Sequence, residues 1–123
     1  MPKKKKGSDS EKLSHAIVKG MQEKKASEII VMDLREVKNA VADFFVICSG
    51  NSDKQIEAIS ESIDEDVYKV LKEKPWHTEG KSNKEWMILD YINVVSHVFR
   101  KDKRHYYALE KLWGDAEITE IED

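Results

Sequence analysis

Cysteine is almost absent: Cys48 is the only one in 123 residues. No disulfide can form within the chain, which fits folding in a reducing cytoplasm. Cys48 lies in the run Phe44-Phe45-Val46-Ile47-Cys48 and reads as a buried, inert thiol. Long apolar runs are also missing. None approaches the ~20 residues of a membrane span. Lys3 to Lys6 have no apolar stretch behind them, unlike a secretory leader. Glycine is scarce, with five residues, and only Gly50 stands between a strand and a helix. That excludes a Gly-rich phosphate cradle. There is no basic excess either: the net charge is −3, against the usual balance of a protein that mainly neutralises phosphates.

What is present suffices for one domain. Hydrophobic residues make up 40% and charged residues 37%, enough for one core under a heavily solvated surface. Lys3 to Lys6 give a basic start, and Asp115, Glu117, Glu120, Glu122 and Asp123 an acidic end. Both ends are expected to be mobile. The expected division is a basic tail over 1–9, a folded domain over 10–114 and an acidic tail over 115–123.

Periodicity supplies the elements. Ser8 and Glu11 have capping-box spacing, so a helix is expected to start near Ser8 or Ser10 and end near Lys25. Leu13, Ala16, Ile17 and Met21 share its apolar face, and Gly20 weakens it while allowing close packing. Ile29 to Leu34 and Val41 to Ser49 read as strands buried on both faces. Gly50 to Asp53 is a turn, and Ser52 with Gln55 repeats the capping-box spacing. Ile56, Ile59, Ile63, Val67, Val70 and Leu71 then make one helical stripe, ending before Pro75. A short strand is expected near Trp76. Trp86 to Tyr91 and Val94 to Phe99 read as an antiparallel hairpin around Ile92-Asn93. A last short helix holds Tyr106, Leu109, Leu112 and Trp113, with Gly114 as its stop. The expected fold is α/β: a mixed sheet of four or five strands with helices packed on it.

Convergent catalytic groups are hard to find. Asp33, Asp43 and Asp90 form no Asp-x-Asp pair for a two-metal site, and read as structural carboxylates. His15, His77, His97 and His105 lack metal-ligand spacing, so no metal is expected. His97 reads as a hydrogen-bonded sheet histidine. Ser49, Asp43 and His97 lack the Gly-x-Ser-x-Gly elbow of a nucleophile. Ser49 to Ser52 offer only the generic anion site of a helix N-terminus. Arg100 to Arg104 form a basic stretch that reads as a solvated turn, with a minor RNA contact as the alternative. Trp76, Trp86, Tyr91, Phe99, Tyr106, Tyr107 and Trp113 gather in the second half, mostly as expected core. By alternation Trp86, Ile88 and Asp90 share one strand face, while Met87, Leu89 and Tyr91 share the other. Partly exposed aromatics on a hairpin point to a binding module more than to a catalyst.

Three blocks carry a resemblance. Asp43-Phe44-Phe45-Val46-Ile47-Cys48-Ser49-Gly50-Asn51-Ser52 resembles the D-x-F-V-I-x-x-G-x-S segment of the Iojap/RsfS family of ribosomal silencing factors. Glu79-Gly80, Glu85 to Tyr91 and Val94 to Phe99 resemble its E-G…W-x-x-x-D-(Y/F)…V-x-H-V-F segment. Arg104, Tyr107, Leu109-Glu110 and Leu112 to Asp115 resemble its closing R-x-x-Y-x-L-E-x-L-W-x-D. The match is collinear from about Leu13 to Asp115. Asn93 and Ser96 depart from the family's commoner residues.

The resemblance implies a nucleotidyltransferase-like topology without the catalytic carboxylates. It implies a cytoplasmic protein with no enzymatic activity and no cofactor, which binds ribosomal protein fourteen of the large subunit and blocks subunit joining when nutrients are short. Dimers in the free state are implied too, and a role in large-subunit assembly is the alternative. A nucleotidyltransferase-like enzyme is the second alternative. On this reading Trp86 and Tyr91 are binding anchors, and Glu79 and Asp90 are polar partners. His97, Arg104, Tyr107 and Glu110 are structural or binding residues, with Arg104 and Glu110 candidates for an internal pair.

Overall fold

The computed structural model describes residues 6–82, 84–104 and 116–121. The elements are α1 (Lys6–Glu23), β1 (Ser27–Asp33), β2 (Phe44–Gly50), α2 (Asp53–Leu71), β3 (His77–Glu79), β4 (Trp86–Asp90), β5 (Val94–Arg100) and β6 (Glu117–Glu120). They form one six-stranded sheet in the order β3-β4-β5-β2-β1-β6. Only β2 and β5 run parallel; the other neighbours are antiparallel.

The strand count exceeds the expected four or five because Glu117–Glu120 pair antiparallel with β1. Their charge alone predicts a mobile acidic tail. Ladder hydrogen bonds and the packing of Ile121 against the main core hold them instead. At the other end, α1 begins at Lys6, before the expected Ser8 or Ser10. β2 begins at Phe44 rather than Val41, which is 73% exposed. The expected last helix, Tyr106 to Trp113, lies outside the described residues.

Both helices pack on one face of the sheet. Leu13, Ile17 and Met21 of α1 and Ile56, Ile59, Ile63 and Val67 of α2 are buried with Val46, Cys48, Val94 and Val98. Burial of Cys48 pushes its thiol far above the usual range, so it stays protonated and inert. Val70, expected in the stripe, is instead exposed near the helix end. Gly20 faces Ile63 so closely that a Cβ would stand 2.8 Å from the Ile63 Cα. There the Ser62 hydroxyl donates to the Gly20 carbonyl at 2.8 Å.

The helix ends have defined caps. The Ser52 hydroxyl accepts from the Gln55 N–H, and the Gln55 side chain accepts from the Asn51 N–H. The capping box therefore forms with its return bond shifted one residue outward. At the C-terminal ends the sequence lacks glycine, and lysine takes the left-handed position. Lys25 (φ 60) follows α1, where the Ala26 N–H bonds back to the Met21 carbonyl and that of Lys25 to Gln22. Lys72 (φ 59) follows α2, its N–H donating to the Tyr68 carbonyl.

The opposite sheet face carries a smaller cluster: Ile30, Met32, Leu34, Phe45, Ile47, Val95 and Phe99. Val37, Ala40, Trp86 and Ile88 pack against it.

Candidate functional site

The β3-β4 ladder sets the geometry of the expected binding residues. His77 pairs with Asp90 and Glu79 with Ile88, and paired residues point to the same side of a sheet. Glu79, Trp86, Ile88 and Asp90 therefore share the face away from α1 and α2. Tyr91 does not join them. It is 5% exposed and sits in the helix-side core, so the anchor role implied for it is corrected to a packing role. Burial, with Asp64 and Glu73 nearby, raises its phenol far above the ordinary value.

Trp86 is half-buried and fixed on two sides. Its ring stacks on Phe99 at 5.1 Å between centroids, and its indole N–H donates to His97 Nδ1 at 3.0 Å. His97 is 5% exposed and touches Phe45 edge-on at 4.6 Å. Because Nδ1 accepts, the ring proton of the neutral form is on Nε2. Burial lowers the His97 pKa from 6.5 to about 3. His97 thus holds the orientation of Trp86 and is neutral at physiological pH.

The two acids play different parts. The Asp90 carboxylate accepts from the Ile92 N–H at 2.8 Å, bracing the hairpin turn where Ile92 has φ 77. Glu79 is exposed and 2.7 Å from His77 Nε2. Gly80 follows at φ +95, with the Trp86 carbonyl where a Cβ would stand. Only glycine permits the chain to pass β4 there.

Arg104 is buried and points inward. Its guanidinium donates to the Glu28 carbonyl at 2.9 Å and to the Ser49 hydroxyl at 2.8 Å, while Ser49 donates to the Glu28 carboxylate. This stitches β2 to β1 at the bulge between Ser27 and Ile30. Tyr107 and Glu110 lie outside the described residues, and the suggested Arg104–Glu110 pair with them. In the basic stretch, Arg100 is bound by Asp53 and Asp102.

Ser49, Asp43 and His97 do not come together as a triad. Asp43 lies just before β2 and accepts from Ser10 at 2.6 Å, whereas Ser49 lies near its far end, engaged by Arg104. Asp33 is held by Arg35 at 2.7 Å, which keeps its carboxyl below the usual range. Among the described residues no group of three metal-ligating side chains converges.

Besides Val41 and Val70, two further apolar residues are more exposed than their type suggests. Trp76, expected in the core, is 73% exposed at the start of β3, and Ile92 is 57% exposed in the hairpin turn. Trp76 is anchored through its backbone N–H to the Asp90 carbonyl, and Ile92 sits in the hairpin turn expected at Ile92-Asn93, with a left-handed φ of 77 that a β-branched residue does not announce. Sequence reasoning also missed a groove of about 200 Å³ between α2 and the β3-β4 edge, lined by Glu57, Ser60, Glu61, Asp64, Thr78, Lys81, Met87 and Leu89.

The sequence profile described as "Ribosomal silencing factor during starvation" matches residues 7–123. The chain is 39% identical to ribosomal silencing factor RsfS of Halalkalibacterium halodurans, covering 92% of this chain and 95% of that one. It is 43% identical to RsfS of Bacillus subtilis, covering 81% and 83%. A crystal structure of a Bacillus halodurans protein is similar, with a TM-score of 0.76, 33% identity, and coverage of 90% of this chain and 99% of that one.

Proposed function

Because the chain belongs to the family of ribosomal silencing factors, we propose that it binds the large ribosomal subunit through ribosomal protein fourteen and blocks joining of the small subunit. The observation that carries this reading is the face formed by Glu79, Trp86, Ile88 and Asp90. It presents a half-buried, pre-oriented tryptophan, with Glu79 and Asp90 further along the same face, away from both helices. A rigid aromatic anchor with polar neighbours suits a protein partner, since few side-chain rotamers are lost on binding.

Occlusion needs no catalysis. A folded chain of this length has a radius of gyration of ~13 Å, too bulky to share a close-fitting intersubunit contact. Occupancy excludes the small subunit by mass action. An acidic surface favours a basic ribosomal protein over promiscuous RNA contact. On this reading the protein acts in the cytoplasm, when translation must be curtailed for lack of nutrients.

Sucrose-gradient sedimentation of purified small and large subunits, with and without the chain, tests the proposal. The expected result is co-migration with large subunits and loss of the joined peak. Trp86→Ala and Glu79→Arg should weaken co-migration by about tenfold each, with circular dichroism showing a retained fold. Co-migration without loss of joining would favour large-subunit assembly. No co-migration at near-physiological salt would refute both.

A further inference from the structure

We infer that the groove between α2 and β3 receives an extended, cationic polypeptide segment, which joins the sheet as an additional strand beside β3. This goes beyond the subunit-blocking reading and does not depend on it.

The sheet order places β3 at an edge. One side of its backbone pairs with β4, and the other has no strand partner among the described residues. Such an edge is a template for another chain unless it is blunted. β3 is a short edge of three residues, His77-Thr78-Glu79, with no lysine or proline to turn a partner strand away. Beside it the sheet and α2 form the walls of the groove, with Met87, Leu89 and Ser60 as floor. A free strand edge flanked by a helix is the arrangement in which strand-adding recognition domains hold extended peptides, with backbone bonds for affinity and alternate side chains for choice.

Charge selects the occupant. Glu57, Glu61 and Asp64 line the α2 wall. Glu57 is paired with Lys84 and Asp64 with Lys74, which leaves Glu61 between them with no ion pair among the described residues. Thr78 pairs with Leu89 and so points to the groove side, while His77 and Glu79 lie on the Asp90 and Ile88 side. An incoming strand would alternate likewise. Its groove-side residues would meet Glu61, and its other residues would meet His77 and Glu79. Around this edge the five carboxylates Glu57, Glu61, Asp64, Glu79 and Asp90 outnumber the three lysines Lys74, Lys81 and Lys84. Arginine or lysine side chains on a β-prone segment satisfy both the backbone edge and this excess of negative charge.

The test uses the full chain, isotope-labelled, with a capped peptide alternating arginine with valine and threonine. Amide hydrogen exchange at His77 to Glu79 should slow when the peptide is added. Glu61→Lys should weaken binding by about fivefold or more, and a peptide with glutamate in place of arginine should not bind. Glu61 is exposed on α2, so that variant should fold, and circular dichroism checks it. Three results would overturn the inference: no binding of the arginine peptide, binding that leaves exchange in β3 unchanged, and binding that survives Glu61→Lys. Protection of β3 by self-association, seen in sedimentation without peptide, would give the edge to a second copy and also overturn it.

Discussion

His97 links packing to pH through one hydrogen bond. Its Nδ1 accepts from Trp86 while burial lowers its pKa from 6.5 to about 3. The unfolded chain therefore binds a proton as the pH falls through 6.5, and the folded chain refuses it until about 3. Stability contributed by the neutral ring is complete above pH 6.5 and is lost as the pH falls through that window, by at most about 1.4 kcal/mol per pH unit. His97→Gln keeps an acceptor for the Trp86 N–H and removes the titration. Urea unfolding between pH 7 and 4 should show a flatter stability profile for that variant, and an unchanged slope would refute the assignment. The sequence shows His97 inside a strand, and its reading as a hydrogen-bonded sheet histidine holds. The partner was not legible: Trp86 and His97 are eleven positions apart, and Ile88 rather than Trp86 is the direct cross-strand neighbour of His97. Tyr91 failed in the other direction. A family position suggests an anchor, whereas strand alternation already placed it with Met87 and Leu89, and burial follows the alternation.

At the scale of the element, the contact between α1 and α2 depends on a missing side chain. Gly20→Ala would press a Cβ onto the Ile63 backbone, which cannot move aside as a side-chain tip could. Thermal unfolding should report a loss of about 1–3 kcal/mol, despite alanine's better helix propensity. The opposite is expected at the helix ends. Lys72 holds a left-handed conformation at φ 59, which costs a residue with a Cβ about 1 kcal/mol. Lys72→Gly should raise stability by up to that amount, offset in part by the greater freedom of glycine in the unfolded chain. These stops explain which boundaries could be read. Ser52 announces the start of α2 with a side-chain cap, and Pro75 bounds its end. No residue type marks Lys25 or Lys72 as the left-handed position, because the conformation is imposed by the carbonyls that need partners. The start of β2 was misplaced for a related reason. Val41 and Ala42 continue its apolar run in sequence, but the backbone at Asp43 bonds to Leu34 and Asn93 and turns the chain before pairing begins.

At the scale of the whole molecule, the sheet is completed by a segment whose composition argues for disorder. Glu117 to Glu120 lie entirely exposed, yet they cover the edge of β1. Ending the chain after residue 115 would leave β1 as an unprotected edge and strip from the core the packing of Ile121. The truncated chain should unfold at lower urea and aggregate more readily, measured by denaturation and light scattering. Equal midpoints would show that β6 contributes nothing. Fold class and most elements were legible because their apolar periods are strong. β6 was not, because its hold on the sheet comes from backbone groups that every sequence possesses.

The parallel pairing of β2 with β5 has a consequence in time. Phe44 aligns with Val94, fifty positions later in the chain, and everything between them must be threaded back before the two central strands can meet. Closing so long a loop is an entropic burden carried before any of its contacts form. Neighbouring pieces such as the β1-β2 and β4-β5 hairpins can assemble early, each still lacking the strand that lies beside it at the middle of the finished sheet. As the chain emerges from its own site of synthesis, β2 waits with one side bare until β5 has been made. The middle of the finished sheet is thus joined only after fifty further residues have been made.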